Sequence, residues 1–270
     1  MQDLRSVAER QLADYDAHTP GKMFDGPPPV VSHAEAYALQ LEVARLRGER
    51  GEDLAGYKVG CVSEVIRRQL HIEGALFGHV FASELHHSGA TLDPRVFAKL
   101  AIEGEFAVRL AQGIPDVDWL QQHKHEVFTS IFPVIELHNY VLRGADTALE
   151  LIANNVLHAG IVLPAEPKTV LNNPDQMLDE PICVLKNGQM LGRTTASAVP
   201  GGPFESVCQL VSHLALNGIR LKKNQIILTG SPLALYSVEP GDRIEVRSGH
   251  FGEVSATVFS GAIADEPRNQ

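Results

Sequence analysis

The stretch Ile102-Glu103-Gly104-Glu105-Phe106-Ala107-Val108 decides the fold and the place of the functional site. Its apolar residues predict a buried β-strand, in which residues i and i+2 point to the same face, roughly 6.5–7 Å apart. Glu103 and Glu105 are therefore expected side by side, while Gly104 leaves the opposite face bare. Two buried carboxylates this close repel each other, and burial raises a carboxyl pKa unless a cation lies between them.

A third carboxylate follows in the apolar run Pro133-Val134-Ile135-Glu136-Leu137. A lone buried glutamate points to a function, because an unpaired buried charge is costly. With Glu103 and Glu105 it would form an all-oxygen site suited to Mg²⁺ or Mn²⁺, with positions left for substrate and water. The alternative is that Glu103 and Glu105 line the solvated face of an antiparallel sheet.

A lysine occupies the strand-like segment Gly56-Tyr57-Lys58-Val59-Gly60. One interpretation places Lys58 on the edge strand of a sheet, where lysine is common. The other places it in a cleft, where desolvation would lower its pKa towards a value useful for proton transfer.

The rest of the chain predicts an α+β fold. Residues 1–54 form a helical arm, in which Ser32 is the N-cap of a helix and Glu35 completes a capping box. Residues 55–265 form a mixed, β-rich body, integrated with the arm into one fold. The Asn187-Gly188 pair predicts a hairpin turn. Other predicted elements are strands at 57–62, 77–83, 103–110, 131–137 and 156–163 and a helix at 117–130.

Charge and cysteine content limit the classes of partner. The 270 residues include 23 Lys and Arg against 33 Asp and Glu, a formal charge of −10. This balance disfavours nucleic acid and anionic membrane surfaces as partners. The three cysteines form no C-x-x-C pair, and neither a signal peptide nor a long apolar run is visible. We therefore expect a cytoplasmic protein with free thiols.

Several motifs occur in an order that resembles the 2-hydroxypentadienoate hydratase and 4-oxalocrotonate decarboxylase branch of the fumarylacetoacetate hydrolase superfamily. The set comprises Gly56–Gly60, Phe77-Gly78, Glu103-x-Glu105, Pro133-x-x-Glu136, Ala153-x-Asn155, Ile227–Gly230 and Pro240–Asp242. The resemblance implies a body of the superfamily's C-terminal type. It also implies metal ligation by Glu103, Glu105 and Glu136 and an active-site role for Lys58. The positions it implies for substrate binding are Leu76, Phe77, Gly78, Asn155, Leu157, Thr229 and Gly230.

The chemistry implied by this resemblance is that of a divalent-metal-dependent lyase. With Mg²⁺ or Mn²⁺, it would add water to 2-hydroxy-2,4-dienoates and produce 4-hydroxy-2-oxo acids. The implied partners are a small anionic 2-oxo acid, further copies of the chain in a homo-oligomer, and a sister decarboxylase. The alternatives are a 4-oxalocrotonate-type decarboxylase, an acylpyruvate hydrolase and a non-catalytic metal-binding relative.

The chain departs from the branch at three polar positions. Leu76 stands where members carry an aspartate, Val141 where an arginine is common, and Leu157 where a serine is usual. If these residues line the cleft, a second carboxylate on the substrate has no partner there, which favours monocarboxylic 2-oxo acids. His138 and His158 lie near these changes, and a structural role is the favoured interpretation of each.

Overall fold

A computed structural model describes residues 3–18, 22–26, 29–142, 148–165 and 177–261. Within these residues the helices are α1 (Leu4–Asp16), α2 (His33–Glu49), α3 (Glu64–Gln69), α4 (Val117–Gln122), α5 (Ala148–Ala153) and α6 (Gly202–Ala215). The strands are β1 (Leu54–Gly60), β2 (Leu76–Phe81), β3 (Leu85–His87), β4 (Ala90–Leu92), β5 (Leu100–Leu110), β6 (Phe128–Asn139), β7 (His158–Leu163), β8 (Pro181–Lys186), β9 (Gln189–Thr195), β10 (Ile226–Leu228), β11 (Tyr236–Ser237), β12 (Arg243–Ser248) and β13 (Gly252–Val258).

The strands of the described residues form two sheets, which confirms the α+β prediction. The larger sheet has the order β2-β1-β10-β5-β6-β7-β3, and β11 also pairs with β5. The smaller sheet has the order β4-β13-β12-β8-β9. Strands β5 and β6 pair antiparallel near the middle of the larger sheet, with Glu103 directly opposite Glu136.

The two faces of strand β5 make different contacts. Gly104 faces the smaller sheet, where a Cβ placed on it would lie 2.4 Å from Val184 Cγ2 and 3.0 Å from Val246 Cγ2. The bare face predicted at Gly104 is therefore the place where the two sheets approach most tightly. The alternation of the strand turns Glu103 and Glu105 to the other face, away from this contact.

The helical arm is fastened to the β-rich body by buried polar contacts. Helix α2 begins as predicted, since the side chain of Ser32 accepts a hydrogen bond from the Glu35 amide at 3.2 Å. From the buried side of α2, Gln40 Nε2 donates to the carbonyls of Phe77 at 2.9 Å and Ile152 at 2.7 Å. These two bonds tie the arm to β2 and α5. No helix in the described part of the chain is both long and apolar enough to cross a bilayer.

Several predicted elements differ in extent from the observed ones, among them the strands predicted at 57–62, 77–83 and 131–137. The helix predicted at 117–130 ends at Gln122, and β6 has already begun at Phe128. The strand predicted at 156–163 begins at His158, because Val156 and Leu157 have positive φ angles of 52° and 61°. The hairpin turn is as predicted, with positive φ at Asn187 and Gly188. Residues 262–265 of the predicted body lie outside the described residues.

We expect Gly104→Ala to lower the free energy of unfolding by about 1–3 kcal/mol, the usual cost of forcing extra volume into a packed interior. The added methyl would meet Val184 at a distance that real Cβ atoms do not show. Urea unfolding followed by circular dichroism measures the change. The matched control is Gly74→Ala, whose added Cβ meets nothing within 4 Å. Equal stability of the two variants would contradict the close contact of the sheets.

Candidate metal centre and cavity

Lys58 lies in the interior of the larger sheet. Its strand, β1, is flanked by β2 and β10, so the edge-strand interpretation is wrong. The side chain is buried, and its Nζ lies 3.1 Å from Glu136 Oε1. The lysine is thus held as a charged partner of a carboxylate that comes from the middle of β6.

Glu103, Glu136 and His138 bring their polar atoms together on the two central strands. His138 Nε2 lies 3.2 Å from Glu103 Oε2 and 3.1 Å from Glu136 Oε2. One ligand-type atom from each of the three residues lies within 4.8 Å of the others. Glu136 and His138 are buried, whereas Glu103 is half-buried and faces an open cavity. The arrangement has the dimensions and the donor atoms of a cation site.

Glu105 adds a fully buried carboxylate to the same face of β5. Its Oε2 accepts a hydrogen bond from the Gly230 amide at 2.5 Å, while its buried Oε1 has no hydrogen-bond partner. Gly230 has a φ of 93°, and a Cβ there would lie 2.5 Å from Val62. Only glycine can therefore bring its amide to Glu105 at this position. An unpartnered buried oxygen beside two other carboxylates is what a hard divalent cation would satisfy. The residues present therefore fit a divalent metal.

The charges of this cluster shift one another's pKa values. Burial disfavours the ammonium form of Lys58, but Glu136, Glu103 and Glu105 outweigh it and raise the lysine's pKa, so the lowering expected from desolvation is wrong. For Glu136, burial is outweighed by Lys58 and His138, which hold its pKa well below the ordinary value. Burial, reinforced by the charge of Glu136, raises the pKa of Glu105. Burial alone would lower the pKa of His138, but the charge of Glu136 outweighs it and raises this pKa to about 9.

A second layer of polar side chains supports Glu136 from behind. His158 Nδ1 lies 2.7 Å from Glu136 Oε1, and the other ring nitrogen lies 3.9 Å from Glu84 Oε2. Glu84 in turn contacts Arg47 Nη1 of α2 at 2.8 Å and accepts a hydrogen bond from the Tyr15 hydroxyl of α1. The helical arm is thus connected to Glu136 through three contacts in series, from the arm to Glu84, from Glu84 to His158 and from His158 to Glu136.

A cavity of about 510 Å³ opens above Lys58, Glu103 and His138. Its volume lies within the range of roughly 300–1,000 Å³ that is typical of small-molecule sites. Its wall is mostly apolar and includes Ile66, Leu70, Leu142, Leu151, Leu157 and Leu233. Lys58, Glu103 and His138 lie close together in this lining, an arrangement that suits a small molecule with one charged head.

The predicted substrate-binding residues are only partly brought to this cavity. Leu157 lines it, but Leu76, Phe77, Gly78, Asn155, Thr229 and Gly230 do not. The amide group of Asn155 is used by the backbone of His79, accepting from its N–H at 2.7 Å and donating to its carbonyl at 2.8 Å. The hydroxyl of Thr229 donates to the Phe106 carbonyl at 2.8 Å. The side chains of Asn155 and Thr229 thus bind the backbone of neighbouring strands, and the Gly230 amide donates a hydrogen bond to Glu105.

The remaining predicted positions shape the surroundings of Lys58. Leu76 and Phe77 are buried in the core, where Phe77 stacks on His213. A Cβ on Gly78 would lie 2.8 Å from the Asn155 carbonyl oxygen and 3.2 Å from Lys58 Cγ, so Gly78 leaves room for the lysine. Val141 is not among the residues that line the cavity. Of the three polar-to-apolar changes, only Leu157 therefore faces the cavity.

Curated relatives resemble the chain over most of its length. It is 26% identical to the 2-oxo-hept-4-ene-1,7-dioate hydratase of Escherichia coli, over 84% of this chain and 87% of that protein. It is 25% identical to the 4-oxalocrotonate decarboxylase of Pseudomonas putida, over 84% and 86% respectively. No protein-family model matches the chain.

Solved structures share the fold. The 4-oxalocrotonate decarboxylase from Pseudomonas putida G7, complexed with magnesium and adipate, matches with a TM-score of 0.84 at 22% identity, over 95% of this chain and 97% of that one. Other matched structures hold calcium or Mn²⁺, so a divalent metal is common to this group.

The fold is shared with this decarboxylase and with a structure named as a putative fumarylacetoacetate isomerase/hydrolase from Oleispira antarctica, as the sequence resemblance implied. The curated relatives confirm the predicted resemblance to the hydratase and decarboxylase branch.

Two histidines for which the sequence favours a structural role, His138 and His158, both contact Glu136. The signal for His138 was its position two residues after Glu136, which puts both on one face of β6. For His158 no local signal existed, because its contact depends on β7 pairing beside β6.

We expect Glu136→Gln to weaken Mn²⁺ binding by more than about 100-fold, because a lost ligand should exceed the 10–100-fold cost typical of outer-shell changes. His158→Gln, which removes a ring bonded to Glu136, should fall within that 10–100-fold range. Isothermal titration calorimetry on metal-stripped protein measures both affinities.

The control for these variants is Glu253→Gln, a change at an exposed carboxylate on β13. Its Mn²⁺ affinity should match that of the parent protein. Parent-like affinity in Glu136→Gln would remove this glutamate from the metal site.

Proposed function

We propose that the protein is a divalent-metal-dependent lyase that adds water to 2-hydroxy-2,4-dienoates and forms 4-hydroxy-2-oxo acids. The observation that carries the proposal is the buried Lys58–Glu136 pair at the base of the cavity, beside Glu103 and His138. A proton carrier, a cation site and a small-molecule cavity thus meet at one place. The hydratases among the curated relatives support this choice of reaction.

Glu103, Glu105 and Glu136 are the proposed metal ligands, and His138 Nε2 lies within 3.2 Å of Glu103 and 3.1 Å of Glu136. Their oxygen donors favour a hard cation, Mg²⁺ or Mn²⁺. When bound, the cation supplies positive charge that stabilises an enolate at the C1 carboxylate and C2 oxygen of the substrate. It also offsets the negative charge that the three glutamates would otherwise present to an anionic substrate.

Lys58 is the proposed proton carrier of the reaction. Moving a proton from the 2-hydroxyl to C5 converts the dienoate into a 2-oxo-3-enoate, whose C4 is electrophilic. Water then adds its oxygen at C4 and a proton at C3. The Nζ of Lys58 lies at the cavity floor, where it can carry protons between the carbon chain and its surroundings. Leu157 and the other apolar wall residues exclude bulk water from this step.

Decarboxylation of a 4-oxalocrotonate-type substrate is the second candidate. It is favoured by the decarboxylase among the curated relatives and by the close fit of the decarboxylase structure. Both reactions need an enolate stabilised at the same two oxygens, so the same residues serve either one. We also propose that the protein is cytoplasmic, that it forms a homo-oligomer and that it associates with a sister decarboxylase.

We expect metal-stripped protein to leave 2-hydroxypenta-2,4-dienoate unchanged, and Mg²⁺ or Mn²⁺ to restore its consumption, because charge builds up on the C2 oxygen. Loss of dienoate absorbance measures the rate, and proton NMR identifies 4-hydroxy-2-oxopentanoate as the product. In parallel, release of CO₂ from 4-oxalocrotonate tests the second candidate. Metal binding without turnover of either substrate would identify a non-catalytic metal-binding relative.

Replacing Lys58 by Met should lower kcat by roughly 10²–10⁴-fold, the usual contribution of a positioned acid–base group. Mn²⁺ affinity should change little, because the lysine is not a ligand. The metal-free variant should lose about 3–5 kcal/mol of stability, since Glu136 is left as a buried charge without its partner. Rates are therefore compared well below each protein's unfolding temperature.

The control for Lys58→Met is Lys223→Met, at an exposed position. It removes the same charge from the chain and should retain full activity. Full activity of Lys58→Met would remove the lysine from the mechanism.

A further inference from the structure

The cavity above the metal centre is charged at one end and apolar over most of its wall. Among the described residues that line it, Lys58 is the single lysine or arginine. That lysine is already engaged by Glu136 at 3.1 Å, and His138 lies between Glu103 and Glu136. Among the described lining residues, the basic groups are therefore all in contact with the carboxylate cluster, and none lies along the apolar wall.

The apolar wall is built from separate parts of the fold. Helix α3 contributes Ile66 and Leu70, the segment after β6 contributes Leu142, α5 contributes Leu151, and the turn before β7 contributes Leu157. Leu70, Leu142, Leu151 and Leu157 belong to the hydrophobic cluster that also packs the helical arm. The wall is thus a continuation of the core, open on its cavity side.

A second carboxylate at the far end of a ligand would be poorly accommodated here. Desolvating an anion without a partner is costly, and the described wall offers it no cation. An alkyl or aryl tail would instead gain from leaving water, by about fourfold in affinity for each buried methylene. A five-carbon dienoate would also leave much of the 510 Å³ unfilled.

We propose that the cavity selects monocarboxylic 2-oxo or 2-hydroxy-dienoic acids with an extended apolar tail, held along the wall formed by α3 and Leu157. This rests on the proposed function, which places the 2-oxo acid head at the metal. The selectivity differs from that suggested by the dicarboxylates in the names of curated relatives, a heptenedioate and 4-oxalocrotonate, and it disfavours the second candidate function.

Saturated 2-oxo acids test this without turnover, because they have no double bond to hydrate. We would measure Kd by calorimetry in Mg²⁺ for 2-oxobutanoate, 2-oxohexanoate, 2-oxooctanoate and 2-oxoadipate. Affinity should rise about fourfold per methylene along the monocarboxylic series. 2-Oxohexanoate should bind more than tenfold tighter than 2-oxoadipate, which has the same chain length and one carboxylate more. Equal binding of these two acids, or no gain with tail length, would overturn the proposal.

A charge placed on α3 tests where the tail lies. Ile66→Lys puts a cation on a cavity-lining position, while Val65→Lys puts the same charge on the adjacent, non-lining residue. Both positions are exposed, at 40% and 63%, so folding should be preserved. Ile66→Lys should reduce the ratio of the Kd for 2-oxoadipate to the Kd for 2-oxohexanoate at least fivefold, and Val65→Lys should leave this ratio unchanged. An equal effect of the two variants would overturn the placement of the tail along α3.

The outcomes also separate this proposal from the proposed function. Tail-dependent binding without turnover of any dienoate would refute the lyase and support the ligand class. Turnover of dienoates with an affinity that does not depend on tail length would support the lyase and refute the proposed ligand class. A protein that binds none of the four acids in Mg²⁺ would refute both.

Discussion

The attraction between Lys58 and Glu136 is the interaction on which the rest of the site depends. Glu105 and Glu136 are buried, with Glu103 half-buried beside them on the same face, and three such charges would repel one another strongly. The ammonium of Lys58, 3.1 Å from Glu136, keeps this arrangement possible in the folded chain. A divalent cation would complete the neutralisation that the lysine begins.

The order of the strands makes this interaction possible. β1 is not adjacent to β6, because β10 and β5 lie between them. Lys58 therefore has to reach along the face of the sheet, over strands whose side chains leave space for it. Gly78 on β2 leaves room for Cγ of the lysine, and Gly60 on β1 leaves room for its Nζ, since a Cβ on either glycine would crowd these atoms. On the other face, Gly104 lets the smaller sheet support β5 closely.

The parts of the molecule that follow from local pattern could be predicted from the sequence. The alternation in Ile102–Val108 predicts that Glu103 and Glu105 share one face, and the N-cap Ser32 predicts the start of α2. The predicted capping box is incomplete, because the Glu35 side chain accepts from the Val31 amide instead of that of Ser32. Helix α4 was predicted too long because the residues before Phe128 carry no strong stop signal, whereas the pairing of β6 with β5 decides where the strand begins.

Contacts made by tertiary structure could not be predicted in the same way. Asn155 bonds to the backbone of His79, a partner 76 residues away in the chain. The positive φ angles at Val156 and Leu157 turn the chain at a point where their apolar side chains predict a strand. The same turn brings Leu157 to the cavity. A resemblance between sequences identifies equivalent positions, but it does not say which side chains still face the ligand.

The contacts behind Glu136 make the helical arm a thermodynamic partner of the metal centre. Tyr15 and Arg47 of the arm both hold Glu84, which lies against His158, and His158 holds Glu136. If the cluster binds a metal as proposed, coupling through these contacts is reciprocal: whatever the docked arm adds to metal affinity, metal binding adds equally to the docking of the arm. The arm would then stabilise the proposed metal site without supplying a ligand.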